Sequence, residues 1–207
     1  MQDSIKVWDI AIRIFHWSLV TFFAVAYLSG EAEAETLHAW AGYVIIALLT
    51  FRLIWGFVGT KYARFSDFIY SPGDIVTYLK NLLTTHPKHY FGHNPAGGLM
   101  VVIMLLMLIA ASWTGLMAYG VEGKGPLASI DTSISTSIIP VAQADDDDEY
   151  GEHEGGESVW EEVHEVTVNL MLLLVIIHLG GVAVSSLLHR ENLVRAMITG
   201  RKPKPNE

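Results

Sequence analysis

Nine histidines occur in this chain of 207 residues, and four of them fall in or at the ends of long apolar blocks: His16, His38, His164 and His178. An imidazole in such a setting is costly to bury unless it is paired or ligating. For any one of them, a hydrogen bond to a neighbouring helix carbonyl is a sufficient account. The four together show matched depths. His164 and His178 are fourteen residues apart, roughly 21 Å along a helix at 1.5 Å per residue. Fourteen residues are also close to whole turns, so both rings point one way. His38 opens the second apolar block and His16 opens the first. The pairs at equal depth are therefore His38 with His164 at one level and His16 with His178 at the other.

Two imidazoles facing each other from neighbouring helices are what six-coordinate haem iron requires, the porphyrin supplying four nitrogens and the protein two axial ligands. Four histidines at two levels predict two stacked, non-covalent b haems. Zinc is the competing ion, but two histidines per level leave it short of ligands, and no carboxylate sits mid-span to complete the set. The chain has no cysteine, which excludes a covalent c-type haem, iron–sulfur clusters, thiolate metal sites and disulfides.

Other residues fit around a flat cofactor. Gly42 lies one turn after His38, and Gly180 and Gly181 follow His178; small residues let a macrocycle or a helix approach closely. Arg52, fourteen residues after His38, shares its face. It either pairs with a propionate of the internal haem or snorkels to the interface. Arg13 has the same two readings. His93, in Gly92-His93-Asn94-Pro95, either contacts a propionate or a quinone head group or serves as a capping and loop residue. His86 and His89 read as surface residues, His189 as a poor ligand beyond its span, and His153 as part of a solvated acidic linker.

The elements that must carry these side chains follow from composition. Hydrophobic residues make up 51% and charged residues 17%, and the apolar excess is concentrated in four blocks. They run over about residues 14–29, 37–58, 96–119 and 163–188, against the roughly 20 residues that cross a bilayer. The first is short unless Ile10 to Arg13 extend it. The fold class expected is an all-α membrane protein, a four-transmembrane-helix bundle holding two haems, as a single domain over residues 1–207. The polar start, Met1 to Trp8, lacks the layout of a cleavable signal.

The net charge of −9 hides a segregation. Lys6, Arg13, Arg52, Lys61, Arg64, Lys80, Lys88, Arg190, Arg195, Arg201, Lys202 and Lys204 all fall on one side of the four spans, and Lys124 on the other. The positive-inside rule then puts both termini in the cytoplasm. Glu31, Glu33, Glu35 and the run Asp145 to Glu149 fall outside. The external loop over 120–160 has an acidic, Gly-rich half, Asp145 to Glu157, expected to be disordered. In the cytoplasmic connection Ser71-Pro72-Gly73-Asp74 reads as a helix start. It is followed by Ile75, Leu79, Leu82 and Leu83 on one face of a short amphipathic helix at the membrane surface. Asn192 to Thr199 reads as another short helix, stopped at Gly200.

Four strings in order carry a family resemblance: Phe15-His16-Trp17; Leu37-His38-Ala39-Trp40-Ala41-Gly42; Gly92-His93-Asn94-Pro95; and the last span from Trp160 through His164 and His178 to His189-Arg190-Glu191-Asn192-Leu193. From about Val7 to Lys202 the chain resembles bacterial cytochrome b561, a superfamily that includes the b-type cytochrome subunit of nickel–iron hydrogenases. The resemblance implies a four-helix diheme electron carrier, multi-pass in the bacterial inner membrane, exchanging electrons between the quinone pool and a partner redox protein. By position it implies His16, His38, His164 and His178 as ligands. The acidic insert departs from shorter members. The expected partners are membrane lipid, quinone or quinol, and an external, basic redox protein such as a c-type cytochrome or another redox subunit, with no nucleic acid. A free-standing oxidoreductase acting on a small species such as superoxide is a second reading, disfavoured because an acidic outer face repels an anion. A non-redox membrane anchor or metal transporter is a third.

Overall fold

The computed structural model describes residues 4–82, 90–129 and 158–203. Among these, four helices are long and apolar enough to cross a membrane: α1, Ile10–Glu31; α2, Glu35–Val58; α4, Pro95–Val121; and α5, Val159–Leu188. Two 3-10 turns (Lys61–Ala63 and Phe65–Asp67), two short helices, α3 (Pro72–Leu82) and α6 (Leu193–Thr199), and two strands, β1 (Ser4–Lys6) and β2 (Arg201–Pro203), complete the order of the described elements.

The helix boundaries have local causes. Asp9 caps α1, its Oδ1 accepting from Ile12 N at 2.9 Å, so the helix begins four residues before the apolar block and reaches a spanning length. Only residues 32–34 separate α1 from α2, with Glu33 at φ 54 in the left-handed region. Such a short joint makes the two antiparallel neighbours. At α3, Ser71 Oγ accepts from Asp74 N at 3.2 Å and donates to Asp74 Oδ2 at 2.7 Å, the expected start. The stripe it buries is shifted from the expected one. Tyr78 is the buried residue, its ring 5.7 Å from that of Tyr90, while Leu79 is 45% exposed; an aromatic partner outweighs the aliphatic pattern. Leu83 lies outside the described residues. Asn192 caps α6 by accepting from Arg195 N at 2.7 Å, and Gly200 ends it at φ 78.

The strands were not foreseen. β1 and β2 pair antiparallel with Ile5 opposite Lys202, which sets the two ends of the chain side by side. Asp9 reinforces this clasp: its Oδ2 also accepts from Trp55 Nε1, at 3.2 Å, and from the Thr60 hydroxyl. Burial alone would raise this carboxyl, but the hydrogen bonds from Thr60, Ile12, Trp55 and Ala11 together hold it below the usual range.

The chain divides into two compact units, residues 1–109 with 170–207, and residues 110–169. In the first, Phe15 and Ala26 of α1, Ala41, Ile45 and Leu49 of α2, Leu105 and Leu108 of α4, and Met171 of α5 form one core. Val7, Trp8, Ile12, Ala63 and Ala196 form a second cluster beneath the clasp. In the second unit Ala111, Thr114 and Ala118 are buried. Many large apolar side chains stay outward, such as Leu106 at 62%, Ile176 at 67% and Leu187 at 79% exposure, as lipid-facing helices require.

Gly98 of α4 seats the first unit's aromatic floor. A Cβ there would lie 2.2 Å from the carbonyl oxygen of Phe68, backbone that cannot step aside. Gly98→Ala is expected to destabilise the protein by about 1–3 kcal/mol, the range for overpacking, read as a lowered thermal midpoint in detergent. An unchanged midpoint would contradict this packing.

Candidate functional site

In the first unit the fold gathers His16, His178, Arg52 and His93 towards the chain-end side. His16 is half-buried and meets Trp17 edge-on at 5.2 Å. Its Nδ1 is buried and has no hydrogen-bond partner. His178 lies within electrostatic reach of it. Beside His178, a Cβ added at Gly180 or Gly181 meets nothing within 4 Å, and the same holds at Gly42. A buried ring nitrogen with no protein partner, a donor set of two imidazoles, and open glycine flanks fit a flat group held by axial nitrogens.

His38, also in the first unit, is prepared in a different way. Its Nδ1 lies 2.8 Å from the carbonyl oxygen of Ala26. A carbonyl can only accept, so Nδ1 carries the proton and the lone pair sits on Nε2, the tautomer a metal-ligating histidine needs. The ring lies against Gly30, where a Cβ would come within 3.1 Å.

His164 belongs to the second unit and shows the same logic. Thr114 Oγ1 is 3.1 Å from the Ala111 carbonyl and 3.0 Å from His164 Nδ1. The hydroxyl has one proton, and Ala111 takes it. With that proton on Ala111, the contact fits His164 Nδ1–H donating to Thr114, the tautomer whose lone pair is on Nε2. Gly115 makes room: a Cβ there would stand 2.9 Å from His164 Cε1. Gly30, Thr114 and Gly115 were missed by the sequence reading. The one signal was a polar residue next to a glycine in the middle of an otherwise apolar block.

Arg52 does not snorkel. It is 3% exposed, its guanidinium lies over the rings of Phe65 at 5.0 Å and Phe68 at 5.6 Å, and Nη1 has no hydrogen-bond partner. Arg13 does not reach freely to an interface either. Its Nη1 donates to the Ile198 carbonyl at 2.7 Å and so closes the last turn of α6. His93 is not the cap of α4; Asn94 is, accepting from Gly97 N at 2.7 Å. Instead the His93 ring stands between Trp8 and Phe68, 4.7 Å from each, with its Nδ1 buried and unpartnered. Burial first, then the charges of Arg52, Lys202 and His178, lower its pKa to about 3, so it is a neutral imidazole at physiological pH. Lys202 is 5% exposed and paired with Glu191 at 3.3 Å, because β2 pulls it inward. His189 lies in the turn after α5, its N–H donating to Ser185 O at 3.1 Å. His86, His89, His153 and the run Asp145 to Glu149 lie outside the described residues.

The four long apolar helices, three of them carrying these histidines, are those of a multi-pass membrane protein. Residues 7–200 match the family described as prokaryotic cytochrome b561. Two relatives align over most of the chain. One is 26% identical over 228 aligned positions, covering 96% of this chain and 88% of its own, and is named probable Ni/Fe-hydrogenase B-type cytochrome subunit of Azotobacter chroococcum mcd 1. The other, 25% identical with the same coverage, carries that name in Azotobacter vinelandii. No solved structure matches the chain. The chain belongs to the prokaryotic cytochrome b561 family: it is a transmembrane b-type cytochrome that uses haem to transport electrons.

Proposed function

We propose that this cytochrome carries two b haems, one at each level, and passes electrons between membrane quinone and a redox partner on the side opposite the chain ends. The single observation that carries the reading is the preparation of the imidazoles. His38 and His164 are each fixed by a hydrogen bond at Nδ1 that leaves Nε2 its lone pair, and His16 comes within reach of His178 beside open glycine flanks. The pairing of His38 with His164 rests on the sequence spacing, with Gly42 beside the external level. When bound, the haem irons supply one-electron redox chemistry; ligation, burial and nearby charge set its potential.

The side assignment rests on the basic residues flanking the chain-end side, which support cytoplasmic termini in a bacterial inner membrane. The pairing of β1 with β2 supports termini on one side. The relatives are named as hydrogenase subunits, which makes a nickel–iron hydrogenase a fitting external partner alongside a basic c-type cytochrome. A quinol analogue added to the purified, oxidised protein should reduce both haems within a mixing experiment. Reduction of neither haem by any quinol would contradict the quinone reading.

The acidic external segment is assigned to encounter. Neutralising Asp145, Asp146, Asp147, Asp148 and Glu149 is expected to slow electron exchange with a basic partner several-fold at low salt while the haem spectra stay the same. Exposed charges are screened beyond about 8 Å at physiological ionic strength, so the difference should vanish in high salt. Stopped-flow oxidation across a salt series measures it, and a wild-type rate at low salt would reduce the segment to a spacer.

A further inference from the structure

Among the described residues Arg52 is a buried cation without a matching anion. Its nearest carboxylate influence is Asp9, and both oxygens of Asp9 are committed, Oδ1 to Ile12 and Oδ2 to Trp55 and Thr60. A guanidinium 3% exposed with an unpartnered Nη1 is expensive to hold unless an anion meets it. A second unpartnered donor lies close by. Phe68, 1% exposed, has its ring 5.6 Å from the Arg52 guanidinium and 4.7 Å from the His93 ring. His93 brings a buried Nδ1 that no described residue satisfies. Planar forked donors match the two oxygens of a carboxylate, and a neutral imidazole can add one N–H.

We propose that Arg52 and His93, seated on Phe68, form one carboxylate-binding cradle on the chain-end side, and that a haem propionate fills it in the loaded protein. The inference rests on the haem reading above and goes beyond it in joining His93 to Arg52 and in giving the paired chain ends a part. Trp8, just after β1, covers the other face of His93 at 4.7 Å. Lys202 of β2 adds its charge to the surroundings of His93 and is itself paired with Glu191 at 3.3 Å. Arg52 is thus a positioning residue for the cofactor, and its charge favours the reduced state of the haem it holds.

The test uses the purified holoprotein, with haem count, redox titration and redox-difference infrared spectra of the propionate carboxylates. Arg52→Gln should leave two haems bound. It should shift the reduced-to-oxidised ratio of one haem about tenfold towards oxidised, which is about 59 mV for a one-electron couple, and move a propionate band. His93→Phe keeps a ring between Trp8 and Phe68 but removes the donor; it should move the same band and shift the ratio less than threefold. Arg52→Lys keeps the charge without the fork. It should hold the potential and still move the band, and it decides the matter if Arg52→Gln loses a haem. Unchanged propionate bands in all three variants would overturn the cradle, whatever the potentials do. Absence of haem from the wild-type protein would instead sink the underlying haem reading.

Discussion

His16→Ala and His178→Ala should each strip the same haem from the protein, taking the haem content from two per chain to one, and the double substitution should add little to either. The two imidazoles belong to one unit and lie within electrostatic reach of each other. Two axial ligands on one iron act as a unit, so their losses are not additive. The surviving haem should keep its own spectrum, because its ligands lie a helix length away: the fourteen residues from His164 to His178 span roughly 21 Å. His189→Ala serves as the control, since His189 sits in the turn beyond α5, and both haems should remain. Loss of different haems in the two single variants, or a wild-type spectrum in either, would contradict this ligation. Optical spectra of variants purified at matched concentration read the result.

The second large effect is expected at the other level. His38→Ala and His164→Ala should each remove the second haem, and Thr114→Val should loosen it without removing the ligand. Thr114 accepts the Nδ1–H of His164, and its own proton goes to Ala111. Valine keeps the shape and takes away the acceptor, so the ring loses both its tautomer preference and its orientation. Partners of this kind affect affinity for the group by about 10–100-fold. Thr114→Ser, which restores the hydroxyl, should recover most of the loss. His38 offers no equivalent substitution, because its acceptor is the main-chain carbonyl of Ala26. Haem retention during dilution in detergent measures the effect. Full retention by Thr114→Val would contradict the role given to Thr114.

What was legible in the sequence is what local rules determine. Apolar length gave the four helices, and turn chemistry gave the starts at Ser71 and Asn192 and the stop at Gly200. What was hidden depends on contacts between residues far apart in the chain. β1 and β2 are three residues each, too short to show alternation, and they form because the two ends meet. The cap that Asp9 gives α1 is local, but its bonds to Trp55 and Thr60 exist only after α2 returns beside it. His93 looks like a loop histidine until Trp8 and Phe68 close on it. Arg52 has equal claims to interface and interior on sequence alone, and the phenylalanines that bury it lie in the connection after α2. Thr114 was passed over because a hydroxyl in a membrane helix commonly bonds its own preceding turn, as Thr114 also does; its second bond, to His164, needs another helix.

Haem stoichiometry distinguishes one bound iron from two. Pyridine haemochrome analysis of the purified chain, set against protein concentration by amino-acid analysis, should give close to two b haems per chain. All of the haem should pass into acidified organic solvent, because the sequence has no cysteine to hold it. A reproducible value near one would contradict the account, leaving two of the four histidines without the iron assigned to them.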